Sequence, residues 1–169
     1  MAVKLIKPNI EYFEQLKEYV CELQSKEDAE GTNGLYKAII ENTFDNWLIW
    51  IEQPDSVTYL ILDEERIVGT INIRYVLNDY LKRGGGHIGY NIRPTERRKG
   101  YAKKALMLAL EDAYKNGLGM VNIDCYKGNI GSMKTIEACG AEFIKEEYIE
   151  ERKNTLLKYK VDLNKRFKK

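Results

Sequence analysis

Hydrophobic and polar positions along this chain follow two different periods. From Ile67 to Val76, Ile71, Ile73 and Tyr75 alternate with Thr70, Asn72 and Arg74, the period of a strand. The β-branched and aromatic run Val57–Leu62 precedes it across the turn sequence DEER, so the pair predicts a hairpin. From Gly100 to Asn116 the period changes. Ala102, Ala105, Leu106, Ala109, Leu110 and Ala113 recur every three or four residues, and Gly117 and Gly119 stop the pattern, which predicts the best helix of the chain.

The remaining elements are shorter. Val3–Ile6 is an apolar strand closed by Lys7 and Pro8. Asn9 can cap a helix over about Ile10–Leu23, with Phe13, Leu16, Val20 and Leu23 in helical phase. Ser25–Gly34 is polar and acidic and reads as a loop. Leu35–Gln53 reads as a second helical region ended by Pro54. Asn78–Gly86 (NDYLKRGGG) reads as a flexible connection. Gly86–Ile92 and Met120–Cys125 read as strands, and Ile130–Cys139 as a helix closed by Gly140. Phe143–Glu150 and Thr155–Val161 form a last hairpin around Arg152–Asn154. The order β-α-α-β-β-β-α-β-α-β-β predicts an α/β fold of the α+β type, with a mixed, mostly antiparallel sheet and helices on both faces. No repeat or linker interrupts residues 1–169, so one domain is expected.

Composition narrows the function classes. With 44% hydrophobic and 31% charged residues and a net charge of +1, nothing argues for nucleic acid or an anionic membrane as a partner. No apolar run approaches the ~20 residues of a membrane span, and the N-terminus has no signal-peptide core. Cys21, Cys125 and Cys139 are widely and irregularly spaced, as reduced thiols of a cytoplasmic protein would be. His87 is the sole histidine, so no metal site is expected, and neither a Walker loop nor a GxGxxG is present. The basic tail KRFKK reads as a solvated terminus.

Candidate chemistry gathers in Ile88–Ala102, IGYNIRPTERRKGYA. A strand enters a basic, glycine-containing turn and then a helix. Such a turn offers backbone N–H groups and a positive helix end to phosphates, with Arg97, Arg98 and Lys99 adding charge. A second strand–cap–helix–glycine unit follows in CYKGNIGSMKTIEACGAEF, with Asn129 three residues before Ser132 and Gly140 after the helix.

These residues resemble the GNAT superfamily of acyl-coenzyme A-dependent N-acyltransferases. The family's phosphate loop, Arg/Gln-x-x-Gly-x-Gly/Ala, is matched by Arg97-Arg98-Lys99-Gly100-Tyr101-Ala102, and its later Asn-helix-Gly unit by Asn129 through Gly140. The resemblance covers Ile67 to about Phe143. It implies a GNAT-like sheet of six to seven strands flanked by about four helices, splayed between strand 86–92 and its parallel neighbour 120–125. Acetyl-CoA would be the cosubstrate, with residues 97–102 on the pyrophosphate and pantetheine paired to backbone near Tyr90–Ile92. The Ile92 N–H would face the thioester carbonyl. Asn129 would bond the pantetheine arm with help from Ser132, and Lys99 and Lys103 would face outer phosphates.

The acceptor implied is a primary amine of a small molecule or peptide; homodimers are frequent among relatives. Two residues compete for the general base. Asp124 shares a strand face with Asn122 and Tyr126, and in some relatives a carboxylate there is the base; His87 has an intrinsic pKa of about 6.5. The tyrosine that many relatives carry seven residues after the motif Asn is Ile136 here, so Tyr126, another of the twelve tyrosines or solvent would protonate the departing thiolate. Cys125 reads as buried filler rather than a nucleophile. Ile136 also motivates an alternative, a CoA-binding sensor without catalysis. The acidic stretch Glu27–Glu30 reads first as a solvated loop; the second reading is a cationic acceptor such as a polyamine, an aminoglycoside or a lysine.

Overall fold

The computed structural model describes residues 1–168. Seven strands form two antiparallel sheets. The first runs in the order β1 (Val3–Ile6), β2 (Ser56–Asp63), β3 (Arg66–Arg74), β4 (Ile88–Ile92). In the second, β7 (Asn154–Asp162) lies between β5 (Met120–Tyr126) and β6 (Glu142–Ile149). The helices are α1 (Phe13–Glu22), α2 (Leu35–Ile40), α3 (Phe44–Trp50), α4 (Asp79–Arg83), α5 (Tyr101–Lys115), α6 (Ile130–Ala138) and α7 (Leu163–Phe167).

Strand alternation distributes the core over both faces of the first sheet. On one face Ile71, Ile73, Ile88 and Ile92 meet Ala105, Leu106, Ala109 and Leu110 of α5, whose alanines let the helix lie close to the strands. On the other face Leu60, Leu62 and Ile67 meet Leu16, Tyr19, Val20, Leu35 and Trp47 of α1–α3. Full burial of each large aliphatic side chain contributes roughly 1.5–3 kcal/mol, so these clusters hold the layers together. That second face also carries buried polar residues, Thr58, Thr70, Asn72 and Asn91.

The two sheets touch along β4 and β5, and only at one end. Gly86 bridges Ile123 in antiparallel fashion, and the His87 N–H donates to the Asn122 carbonyl at 2.8 Å. The Asn122 N–H returns a bond to His87 Nδ1 at 2.9 Å. No ladder joins the strands beyond this point, so they diverge towards Ile92 and Tyr126. The splay expected from the sequence is present, but the parallel pairing is not formed.

Other differences have local causes. The helical region 35–53 breaks in two because Asn42 adopts a left-handed φ of 55°. Asn78, expected in a flexible connection, caps α4 by accepting from the Leu81 N–H at 2.9 Å. The basic tail is not a loose end. Asp162 caps α7, Leu163 is fully buried, Phe167 stacks on Tyr114 at 5.2 Å, and Arg166 donates to the Cys139 carbonyl; its last residue, Lys169, lies outside the described residues. These short helices bring the total to seven among the described residues, where about four were expected.

The His87 bond requires a neutral ring with its proton on Nε2. Burial pushes the imidazole below its usual pKa, and the Arg74 charge acts the same way. A depressed folded pKa means stability that is present above the unfolded value of about 6.5 and is lost as pH falls through the folded value. Thermal scans from pH 7 downward should show the midpoint falling below about pH 6.5 in wild type. In His87→Gln that fall should be clearly shallower; an equally steep fall would remove His87 from the account.

Candidate active site

The antiparallel ladder decides which way β4 presents its backbone. Arg74 N–H donates to the His87 carbonyl and Arg93 N–H to the Val68 carbonyl, so residues 87, 89, 91 and 93 bond to β3. By alternation, the N–H groups of Tyr90 and Ile92 point away from β3, into the gap towards β5.

Past Ile92 the chain turns through Pro94–Glu96 into α5. From Arg98 to Lys103 no backbone N–H has an acceptor within the described residues. Arg98 and Gly100 both adopt left-handed backbone, with φ of 62° and 87°. A Cβ built on Gly100 would meet nothing within 4 Å, so the space in front of the turn is open. Consecutive free donors at a helix start form an anion cradle. The side chains of the turn serve the protein instead: Lys99 pairs with Glu96 at 2.9 Å, and Tyr101 donates to Asp63 at 2.6 Å. Ala102 is half-buried against the core below the turn.

The opposite wall of the gap is built by β5 and the start of α6. Tyr90, Asp124, Tyr126, Asn129 and Ser132 line one cavity of about 680 Å³ between the strands. Asn129 Oδ1 accepts from the Ser132 N–H at 3.1 Å, which caps α6 and leaves the Asn129 amide nitrogen for a ligand. Tyr90 and Ser132 hydroxyls bond at 2.7 Å, and burial pushes the Tyr90 phenol well above its usual pKa. Asp124 Oδ2 accepts from the Gly85 N–H at 2.9 Å. Burial raises its pKa, against the bond from Gly85 and the charges of Lys158, Arg152 and Arg74. Tyr126 also lines the cavity, with its phenol beside the Arg152 guanidinium. Cys125 is 6% exposed and burial raises its thiol to about 11, so thiolate is scarce.

One expectation changes with this geometry. His87 does not line the cavity; its ring is spent on fastening β4 to β5. Ile136 is fully buried in the α5-side core, so the position that holds a tyrosine in many relatives points no side chain into the cavity.

The polar loop Ser25–Gly34 roofs the cavity from the other face of β4. Asn91 Nδ2 donates to the carbonyls of Asp28 (2.9 Å) and Glu30 (2.8 Å), and Tyr19 donates to Asn91 Oδ1 at 2.5 Å. Gly31, with a φ of 85°, lies so close that a Cβ would fall 2.0 Å from the Tyr90 carbonyl oxygen. Arg97 clasps the roof to the turn. It donates to the Ile92 carbonyl at 2.8 Å and to Asp28 Oδ1 at 2.6 Å. Arg74 and Arg152 also line the cavity, and sequence reading did not select either. The available signal was the polar phase of β3, where Thr70, Asn72 and Arg74 share a face; Arg152, in a distant turn, had none.

The sequence profile of the acetyltransferase (GNAT) domain matches residues 11–142. The chain belongs to the GNAT acetyltransferase family. A search of curated proteins returned no match. Solved structures share the GNAT fold across the whole chain. RimJ from Mycobacterium smegmatis, in complex with CoA-disulfide, superposes with a TM-score of 0.80 at 12% identity, covering 99% of this chain and 84% of that one. A chimera of spermidine N-acetyltransferase SpeG from Vibrio cholerae with hSSAT gives 0.72 at 14% identity, covering 100% of both chains. RimL, a ribosomal L7/L12 α-N-protein acetyltransferase in complex with coenzyme A, gives 0.72 at 13%, covering 96% and 94%. At these identities the likeness establishes the GNAT fold, and the site is read from this chain's own residues.

The clasp between Arg97 and Asp28 is partly exposed and should contribute ~1 kcal/mol. Arg97→Gln should therefore raise amide hydrogen exchange in residues 28–34 by several-fold to about tenfold while the β3–β4 ladder keeps its protection. Unchanged exchange in the roof would show that Asn91 alone holds it.

Proposed function

We propose that this GNAT domain transfers the acetyl group of acetyl-CoA to a primary amine by direct attack. One observation carries the reading. The partnerless N–H groups of Arg98–Lys103 lead to the inward N–H groups of Ile92 and Tyr90, and these lead to a cavity holding Asp124. That path suits a pyrophosphate, a pantetheine arm and a thioester in turn. The donors of residues 98–103 would hold the pyrophosphate. The Tyr90 N–H and the Asn129 amide would bond pantetheine, and Ser132 supports that wall through Tyr90.

An alkylamine with a pKa near 10.4 is neutral in only about one molecule in a few thousand at pH 7, so a base is needed. Asp124 faces the cavity and in its carboxylate form takes the ammonium proton directly or through water. The amine nitrogen then attacks the thioester carbonyl carbon. The Ile92 N–H bonds the developing oxyanion, a contact of ~3–4 kcal/mol in comparable sites. Collapse of the tetrahedral species breaks the C–S bond and leaves an amide once the nitrogen has lost its second proton to solvent. The sulfur leaves as thiolate and takes a proton from Tyr126. The proton held by Asp124 returns to Tyr126 through solvent, so the sum is ammonium plus acetyl-CoA giving amide, free thiol and one proton. The Tyr126 hydroxyl on the cavity wall answers the motive for a non-catalytic CoA sensor, since the missing tyrosine at 136 is not the only hydroxyl available. The three free cysteines support a reducing compartment such as the cytoplasm.

Asp124→Asn should lower kcat/KM by roughly 100- to 10,000-fold and remove the acidic limb of its pH profile. A raised carboxyl pKa means that the folded state binds this proton more tightly than the unfolded one. Asp124 therefore costs stability above its folded pKa, a cost that vanishes as pH falls below the unfolded value of about 3.9. At pH 7 the Asn variant should melt no lower than wild type; retained activity would exclude Asp124 as base.

Acetyl-CoA at 100 times its Kd should stabilise the protein by ~2.7 kcal/mol. Gly100→Glu strains a left-handed position and puts a carboxylate into the open space before the turn. It should abolish that shift, and an undiminished shift would displace the pyrophosphate from residues 98–103.

A further inference from the structure

We propose that the acceptor is a small amino acid-like zwitterion, whose carboxylate lies between Arg74 and Arg152 while its amine faces Asp124. The proposal rests on the acetyl-transfer reading of the same cavity and names its substrate class.

Gly85 is the point on which three charged groups converge. Its N–H donates to Asp124 Oδ2 at 2.9 Å, and its carbonyl accepts from Arg74 Nη2 at 3.0 Å. A Cβ built on it would stand 3.4 Å from Arg74 Nη2 and 3.9 Å from Arg152 Nη2. The two guanidinium groups thus flank one spot, beside the carboxylate that would act as base. Among the described residues neither guanidinium stands within salt-bridge distance of a carboxylate. Their bonds go to uncharged groups: Arg74 to Gly85 and Gly86 carbonyls and Asn72, Arg152 to the Gly84 carbonyl and the Tyr126 phenol, with its face over Tyr80.

Charge balance then selects the ligand. Burial pushes Arg74 down to about 10, and the Arg152 charge acts in the same direction. A half-buried guanidinium is costly without a counter-charge. Asp124 offsets one of the two, and Lys158 behind it is already paired with Glu147 at 3.0 Å. One positive charge remains, which one monoanion would neutralise through the planar fork that guanidinium presents to carboxylate. Lys26 and Lys37 add two exposed cations to the cavity wall against the single carboxylate of Glu30. A polyamine would meet four cationic side chains there. The acidic stretch that suggested a cation is largely spent elsewhere: Asp28 faces Arg97, and Glu27 does not line the cavity. Because the base and the guanidinium pair share Gly85, amine and carboxylate must be only a few bonds apart.

The test is thiol release from acetyl-CoA with matched pairs, each an amino acid and the amine lacking its carboxylate: phenylalanine with 2-phenylethylamine, lysine with cadaverine, and spermidine alongside. In at least one pair the carboxylated member should be favoured roughly 10- to 100-fold in kcat/KM, chiefly through KM. Arg152→Gln should collapse that ratio towards unity with the KM for acetyl-CoA unchanged. Lys37→Glu, on an exposed residue, should raise the KM of the carboxylated member only. Spermidine as the best acceptor, equal turnover within every pair, or a ratio that survives Arg152→Gln overturns the proposal. So does turnover of no pair member by a protein that acetyl-CoA stabilises. Loss of the acetyl-CoA stabilisation itself would instead count against the acetyl-transfer reading.

Discussion

The site depends on an edge that the fold leaves unpaired. β4 bonds to β3 along one side, while on the other its N–H groups at Tyr90 and Ile92 face a gap. Inside a sheet such donors would be satisfied by a neighbouring strand. Here β5 touches β4 only at Gly86 and His87 and then leaves it. An extended ligand that supplies acceptors can stand where the missing strand would be, which is strand pairing used as recognition.

An open edge of this kind needs rigid surroundings. At one end the His87–Asn122 pair holds the sheets together. At the other, Arg93 is almost fully buried and pairs with Glu22 at 2.6 Å, and Thr95 also donates to Glu22. Burial alone would raise the Glu22 carboxyl, but the bonds from Arg93 and Thr95 hold it below the usual range. This fixes α1 against the corner where β4 becomes the phosphate turn. Between the ends, Tyr19 and Asn91 tie the roof loop to β4 from the far face. The gap is therefore framed by polar contacts on three sides, of which the Tyr19–Asn91 bond is buried and the most costly to break.

The donor half was legible because its chemistry is local. A strand, a basic turn and a helix are adjacent in sequence, and so are Asn129, Ser132 and their helix. Strand and helix periods gave the layers for the same reason. The short helices α4 and α7 escaped because five residues carry too little periodicity to register. His87 attracted attention through its intrinsic pKa, yet geometry turned it into a fastener. The acceptor side is assembled from β3, the Gly84–Gly86 turn, β5 and the turn before β7, so its charges converge from segments that share no spacing pattern. Only the polar phase of β3 hinted that one face of a central strand was turned towards something other than core.

Arg97 joins these two halves. One guanidinium bonds the Ile92 carbonyl at the reactive end of β4 and Asp28 of the roof, while its own backbone opens the phosphate turn. In the proposed reading, a ligand phosphate before that turn would add negative charge on the same side of the molecule as this guanidinium. The roof is otherwise tied down by the two Asn91 bonds and by the close seat of Gly31 on Tyr90. Weakening the clasp would loosen the loop that carries Lys26 and Glu30 over the cavity without unseating it. Arg97 thus ties the turn before α5 to the roof loop, and if the proposed donor and acceptor sites lie on those two sides, linkage makes any effect of one on the other reciprocal.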